Sequence, residues 1–260
     1  MISVNRLKYL RKKSIPYDRI IFLHIQKTAG TSVSEHILKY LWHKRTMRWG
    51  DYLTIPKSEL MKYYYISGHF GFDYIKNILD GSYSFTFLRN PVERILSYYT
   101  FSRQLPLNEQ TKKFRVFDLI HQMTFKEFVE SDNPLIKLSI DNLQTWLLAC
   151  NYSNAIREKL KNVPEHEILG MAKENLSRLS YVGFKETFKD DFNNILSDLH
   201  LPIPARNKVA YKSKSPISIK TLSPDVLQKL QARVSLDNEL YNYAWNSLRK
   251  KPACPIEKNT

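Results

Sequence analysis

Cysteine occurs only twice in these 260 residues, at Cys150 and Cys254, so the chain can build neither a disulfide framework nor a CxxC metal or redox motif. Glycine is scarce as well, seven in all, and no internal repeat or low-complexity segment appears. No apolar stretch approaches the ~18–20 residues needed to span a bilayer. The charged start also lacks the apolar segment and small-residue cleavage site of a signal peptide, so the chain is expected to be soluble. Acidic residues number 25 against 40 basic ones, leaving a formal charge of +15. Such a surface fits a nucleotide or an acidic glycan, and by charge alone it fits nucleic acid equally well. Arg6, Lys8, Arg11, Lys12 and Lys13 read as a solvated arm over residues 1–18, with contact to an anionic glycan or a membrane surface as the alternative. At 43% hydrophobic content the chain can bury a substantial core and is expected to form one domain over 1–260.

What is present is concentrated in three stretches. Residues 20–31, Ile-Ile-Phe-Leu-His-Ile-Gln-Lys-Thr-Ala-Gly-Thr, pass from an apolar run into a lysine, a glycine and hydroxyls, which predicts a strand, an anion loop and a helix start. Backbone N–H groups at a helix N-terminus attract anions, so Lys27, Thr28, Ala29, Gly30, Thr31 and Ser32 form a candidate pocket for a phosphate or sulfate group. A Walker A loop would place its lysine after the glycines and directly before Ser or Thr. Here Lys27 precedes Gly30. A nucleoside triphosphatase also needs an acidic residue after a second apolar strand to hold Mg²⁺, whereas Tyr83–Leu88 runs into Arg89. A cation at that point suits a ligand that carries an additional phosphate and needs no metal.

The second stretch, Ser84–Ser97, gives Arg89 its context. Asn90 is a good N-cap, Pro91 suits the first helical position, and Glu93 stands where it can close a capping box. Arg89 then lies at a strand end and Ser97 about two turns into the helix, so both could bond one phosphate beside that helix. Taken singly, Arg89 reads as a surface ion pair and Ser97 as a helix-surface hydroxyl. The third stretch, Tyr63–Phe72, is aromatic and β-prone and ends at Gly68 and His69.

Together these stretches resemble the sulfotransferase superfamily that uses 3′-phosphoadenosine-5′-phosphosulfate (PAPS), and within it the branch containing heparan sulfate 2-O-sulfotransferase and bacterial carbohydrate sulfotransferases. His24–Ser32 resembles the family's 5′-phosphosulfate loop, with Gln26 where the family usually has proline. Phe87–Tyr99 resembles its 3′-phosphate element. His69 aligns with the catalytic base of the 2-O branch, while Ser67 stands where that branch has a further histidine. The resemblance implies sulfuryl transfer from PAPS to a hydroxyl of a carbohydrate or glycan acceptor, without a metal. His69 would take the hydroxyl proton, a task suited to an imidazole with a pKa near 6.5. Lys27 would stabilise charge on the leaving group, and Thr28–Ser32 would offer backbone and hydroxyl donors to the 5′-phosphate. Arg89 and Ser97 would hold the 3′-phosphate. Lys212 and Ser213, in a proline-broken basic loop over 201–218, fall where the family covers its cofactor.

The remaining sequence predicts a mostly helical surround. Helices are expected over 31–42, over 165–179, from the N-cap Thr187 to about His200, and from about Pro224 and Leu236, with a short buried strand at Tyr181–Phe184. Phe101–Met123 reads as polar, basic and irregular, either facing the acceptor or as a surface excursion. Asn142, Thr145 and Trp146 are assigned to packing, and His24 to the buried first strand. His36, His43, His121, His166 and His200 carry no readable signal. The fold expected is α/β, a mostly parallel central sheet flanked by helices as in phosphate-loop kinases, with the ligand at the strands' C-terminal ends. Two rival functions remain: a phosphate-loop kinase, and a nonenzymatic binder of acidic glycans or nucleic acid. Binding of nucleic acid would explain the charge but not the ordered set Lys27, His69, Arg89 and Ser97. Family members of the Golgi commonly carry disulfides, so the low cysteine content points to a cytoplasmic bacterial enzyme, or else to an excised luminal domain.

Overall fold

Every residue of Arg19–Leu23 (β1) is buried, as a strand flanked by others on both edges and by helices on both faces must be. The computed structural model describes residues 15–48, 50–151, 153–204 and 217–249. Most of the basic arm, the greater part of the 201–218 loop with Lys212 and Ser213, and Cys254 lie outside the described residues.

In chain order, β1 is followed by α1 (Gly30–Leu38), β2 (Thr46–Met47), β3 (Tyr65–Gly68), β4 (Ser82–Leu88) and α2 (Pro91–Gln104). Short helices come next: α3 (Glu109–Lys112), α4 (Arg115–His121), α5 (Phe125–Glu130), α6 (Pro134–Ile140), α7 (Leu143–Ala149) and α8 (Asn154–Lys159). The chain continues through α9 (Glu165–Ser177), β5 (Tyr181–Phe184), α10 (Phe188–Asp198), α11 (Pro224–Arg233) and α12 (Ser235–Ser247). The strands form a sheet in the order β2-β3-β1-β4-β5, and each of the four pairings is parallel. The α/β architecture expected from the sequence is thus present.

Alternation along the strands divides the core. Ile21 and Leu23 of β1 join Ile66, Leu88, Val182 and Phe184 on one face, covered by α7, α9 and α12. Ile20 and Phe22 join Tyr65, Tyr83, Phe85 and Phe87 on the other, covered by α1 and α10. A third cluster, built by α2, α4, α5, α6 and α11 around Ile95, Phe128 and Leu230, lies away from the sheet. This is where the sequence reading of Phe101–Met123 fails. Phe101–Gln104 continues α2, and much of the remainder is helical because Ile120 has that cluster to enter. The predicted first helix also ends at Leu38, earlier than expected, although Leu41 is still buried beyond it. Thr187 makes no side-chain cap; its hydroxyl instead donates to Asp191 at 2.6 Å.

Candidate active site at the strand ends

The register decides which residues meet. Leu23 pairs with Gly68 on one side and Thr86 on the other, and Leu88 pairs with Phe184. Three strands therefore end together and deliver His24, His69 and Arg89 to one edge, with Lys185 beside Arg89. Of the expected residues, Lys27, Arg89 and His69 are brought to this edge.

The anion loop is held in an unusual backbone shape. Lys27 (φ 70°) and Ala29 (φ 99°) both lie in the left-handed region, which costs a residue with a Cβ about 1–3 kcal/mol and persists only where surroundings enforce it. Two contacts do so. Thr28 is fully buried and its hydroxyl donates to the Ile25 carbonyl at 2.8 Å. Without a ligand, that hydroxyl proton is spent on the loop's own backbone. Gly30, the first residue of α1, lies so close to the His24 ring that a Cβ would stand 1.8 Å from Nε2. Thr31 and Ser32 sit partly buried in the first turn of α1, which holds no acidic residue to compete for an anion. Gln26 is less well accommodated: its Oε1 is buried without a hydrogen-bond partner among the described residues.

Arg89 joins the loop to the second element. Its Nη1 donates to the Lys27 carbonyl at 3.2 Å and its Nη2 reaches Glu93 at 3.4 Å. Asn90 caps α2 by accepting from the Glu93 N–H at 3.1 Å, as the sequence predicts. The reciprocal half of the capping box is not made. Glu93 turns to Arg89, and the Asn90 N–H donates to Glu186 at 2.8 Å instead. A residue the sequence did not mark, Gln144 of α7, grips the Arg89 backbone twice: it accepts from the N–H at 3.1 Å and donates to the carbonyl at 2.9 Å. Ser97 stands partly buried on α2, one turn before Phe101.

The electrostatics fit a multiply charged anion. Burial and then the nearby Arg89 push the Lys27 amine down to about 8. Burial followed by the same guanidinium lowers Lys185. Burial also lowers Arg89 itself, against the pull of Glu93 and Glu186. Three cations that repel one another in a partly desolvated site would each be stabilised by a phosphate or sulfate among them.

His69 completes the edge. Its Nδ1 lies 2.7 Å from the His24 carbonyl, and because a carbonyl can only accept, Nδ1 carries the proton and Nε2 is the basic nitrogen. Burial, and secondarily the Lys27 charge, hold the imidazole below its ordinary value although the carbonyl bond works the other way. His24, assigned from sequence to the strand alone, packs its ring 4.4 Å from that of His69. Burial first, then His69 and Lys27, hold it well below 6.5 and therefore neutral at pH 7. The signal for both Gln144 and His24 was non-local. Only the pairing of distant segments reveals them.

A parallel α/β sheet whose strand ends gather a lysine-bearing loop, an arginine and a histidine offers its candidate site at the edge where such folds place their ligands. The chain matches the Sulfotransferase family over residues 14–244 and belongs to it. It is an enzyme, a sulfotransferase, and its general reaction is sulfuryl transfer. No curated protein matches the chain. Among the described residues, no helix is long and apolar enough to cross a membrane.

Proposed function

We propose that this sulfotransferase moves the sulfuryl group of PAPS to a hydroxyl of a carbohydrate or glycan, in the manner of the heparan sulfate 2-O branch, as a single domain acting in a reducing compartment such as the bacterial cytoplasm. The observation that carries the donor assignment is the bond from Arg89 to the Lys27 carbonyl, which brings the two expected phosphate elements together. Backbone N–H groups of Gly30, Thr31 and Ser32, with the Lys27 ammonium, would hold the 5′-phosphosulfate. Arg89 and Ser97, with Lys185 nearby, would hold the 3′-phosphate. Lys212 and Ser213 belong to this proposal on family resemblance alone.

In the transfer, His69 Nε2 takes the proton of the acceptor hydroxyl as its oxygen bonds to sulfur. The bond from sulfur to the bridging oxygen breaks, and Lys27 stabilises the negative charge that develops there. The products are a sulfate ester and adenosine 3′,5′-bisphosphate, with the proton left on His69 for release to water. The formal charge of +15 supports an acidic polymer as acceptor.

Calorimetric titration with adenosine 3′,5′-bisphosphate, compared with ADP and with ATP plus Mg²⁺, tests the donor. Metal-independent binding that requires both the 3′-phosphate and Arg89 is expected. A preference for ATP with Mg²⁺ would replace this reading with a kinase, and no nucleotide binding would leave an anion-binding relative without turnover.

A further inference from the structure

We propose that Phe101 is a positioning residue that holds the Lys27 ammonium against its ring face and keeps it protonated where the leaving group forms. The role at the leaving group rests on the sulfotransferase donor reading above; the pairing itself rests on geometry. Lys27 Nζ lies 3.7 Å from the Phe101 ring centroid, the shortest of the described cation–ring contacts. The ring face carries the negative side of the aromatic quadrupole and attracts an ammonium most strongly where water is thin.

The surroundings make that attraction matter. Charged or titratable groups approach Lys27 from three strands: His24 beyond β1, His69 beyond β3 and Arg89 beyond β4. Each is a cation or can become one. Glu93 is engaged by the Arg89 guanidinium, and no ion pair joins Lys27 to a described carboxylate. The ring is therefore the counterweight that favours the charged amine against burial and Arg89. Its placement on α2 adds a geometric role, because Ser97 and Phe101 are four residues apart and share a helix face. The Lys27 backbone is tied to Arg89 through its carbonyl, and its ammonium is tied to α2 through the ring. Loop and helix thus hold the lysine at both ends.

The test replaces Phe101 with its mono-, di- and trifluorinated phenylalanine analogues, which keep the shape and progressively drain the ring face. Titration of the Lys27 amine is followed by NMR of lysine labelled at Cε, with the signal assigned by its loss in Lys27→Arg. The expected result is a stepwise fall in the amine's titration point, about one pH unit in all from its starting point about 8. Phe101→Tyr retains the titration point and Phe101→Leu lowers it. A titration point unchanged across the fluorinated series overturns the proposal. This arm needs neither donor nor turnover. In parallel, the alkaline limb of kcat/KM should move down by the same increments, and thermal melting should stay constant. A moving titration point with a fixed alkaline limb would overturn the catalytic role of the pairing. If the amine responds as expected but adenosine 3′,5′-bisphosphate does not bind, the donor reading fails while the ring–ammonium pairing stands.

Discussion

Arg89 and Arg94 stand five positions apart in one stretch of chain, and the fold puts them to opposite uses. The Arg89 side chain is 18% exposed at the sheet's edge, where its guanidinium bridges the anion loop and Glu93. Arg94 is wholly buried, donates from Nη2 to the Ser139 carbonyl at 3.0 Å, and lies close enough to Asp237 to offset part of the upward push that burial gives that carboxyl. Asp237 in turn accepts from the backbone of Gln144 and Thr145 and from the Thr145 hydroxyl at 2.7–3.2 Å. One arginine stands at the sheet's edge beside the loop, and the other ties α2 to α6 through Ser139 and to α12 through Asp237. The two are connected, since Gln144 bonds Asp237 through its N–H and Arg89 through its amide. The buried lock therefore sets the position of the exposed one.

The comparison breaks most visibly at the lock. Asp237→Ala leaves the buried Gln144 and Thr145 N–H groups without their acceptor and removes the carboxylate that offsets the Arg94 charge, and it is expected to cost about 3–5 kcal/mol, read as a drop in denaturation midpoint. A loss below about 1 kcal/mol would show that the buried carboxylate does not hold these helices.

On the catalytic side the effects should fall on turnover instead. Lys27→Ala and His69→Ala are each expected to lower kcat about 10²–10³-fold, and His69→Ala should keep its affinity for adenosine 3′,5′-bisphosphate. Wild-type turnover in His69→Ala would remove the base from the mechanism.

Arg89→Ala should weaken adenosine 3′,5′-bisphosphate by about 10–100-fold, the worth of a charge-assisted hydrogen bond, with folding stability within about 1 kcal/mol of wild type. Equal losses of stability in the Arg89 and Arg94 alanine variants would erase the contrast between them. Gly30→Ala, which drives a methyl group into the His24 ring, is expected to cost about 1–3 kcal/mol by overpacking and to raise the donor KM.

The pH profile sharpens the site without a substitution. On the proposed mechanism His69 must be neutral to take a proton, and burial holds its pKa below 6.5, so kcat/KM should rise through an acid limb that is complete near neutrality. The proposed role of Lys27 requires its protonated form, so activity should fall as pH rises through about 8. Lys27→Arg, which keeps its charge, should remove the alkaline limb even if it slows the reaction. An alkaline limb that survives this change belongs to another group.

The loop from Lys27 to Ser32, the Asn90 cap and the Arg89 strand end were legible because each is a local pattern of a few residues, and the parallel sheet followed from apolar runs separated by helix signals. Phe101 escaped notice because it was grouped with the polar segment after it, and nothing in its immediate neighbours marks it as the ring beneath Lys27. His24 was read as a strand residue, but β1 ends at Leu23 and His24 follows it; its contact with His69 exists only because β1 and β3 end in register. Gln144 lies in a segment that packing alone explained, yet its amide fits the Arg89 backbone 55 positions away.

The sequence by itself determined the parts: a strand that empties into an anion loop, a capped helix behind an arginine, and a histidine after a β-prone run. Hydrogen bonds within a few residues specify those parts, so they survive in a linear reading. Tertiary structure alone decided that Lys27 rests on Phe101, that Gln144 grips Arg89, and that two arginines on one helix entrance serve different ends. Those outcomes depend on strand register and on which helix covers which face, and both are set by the packing of the whole core.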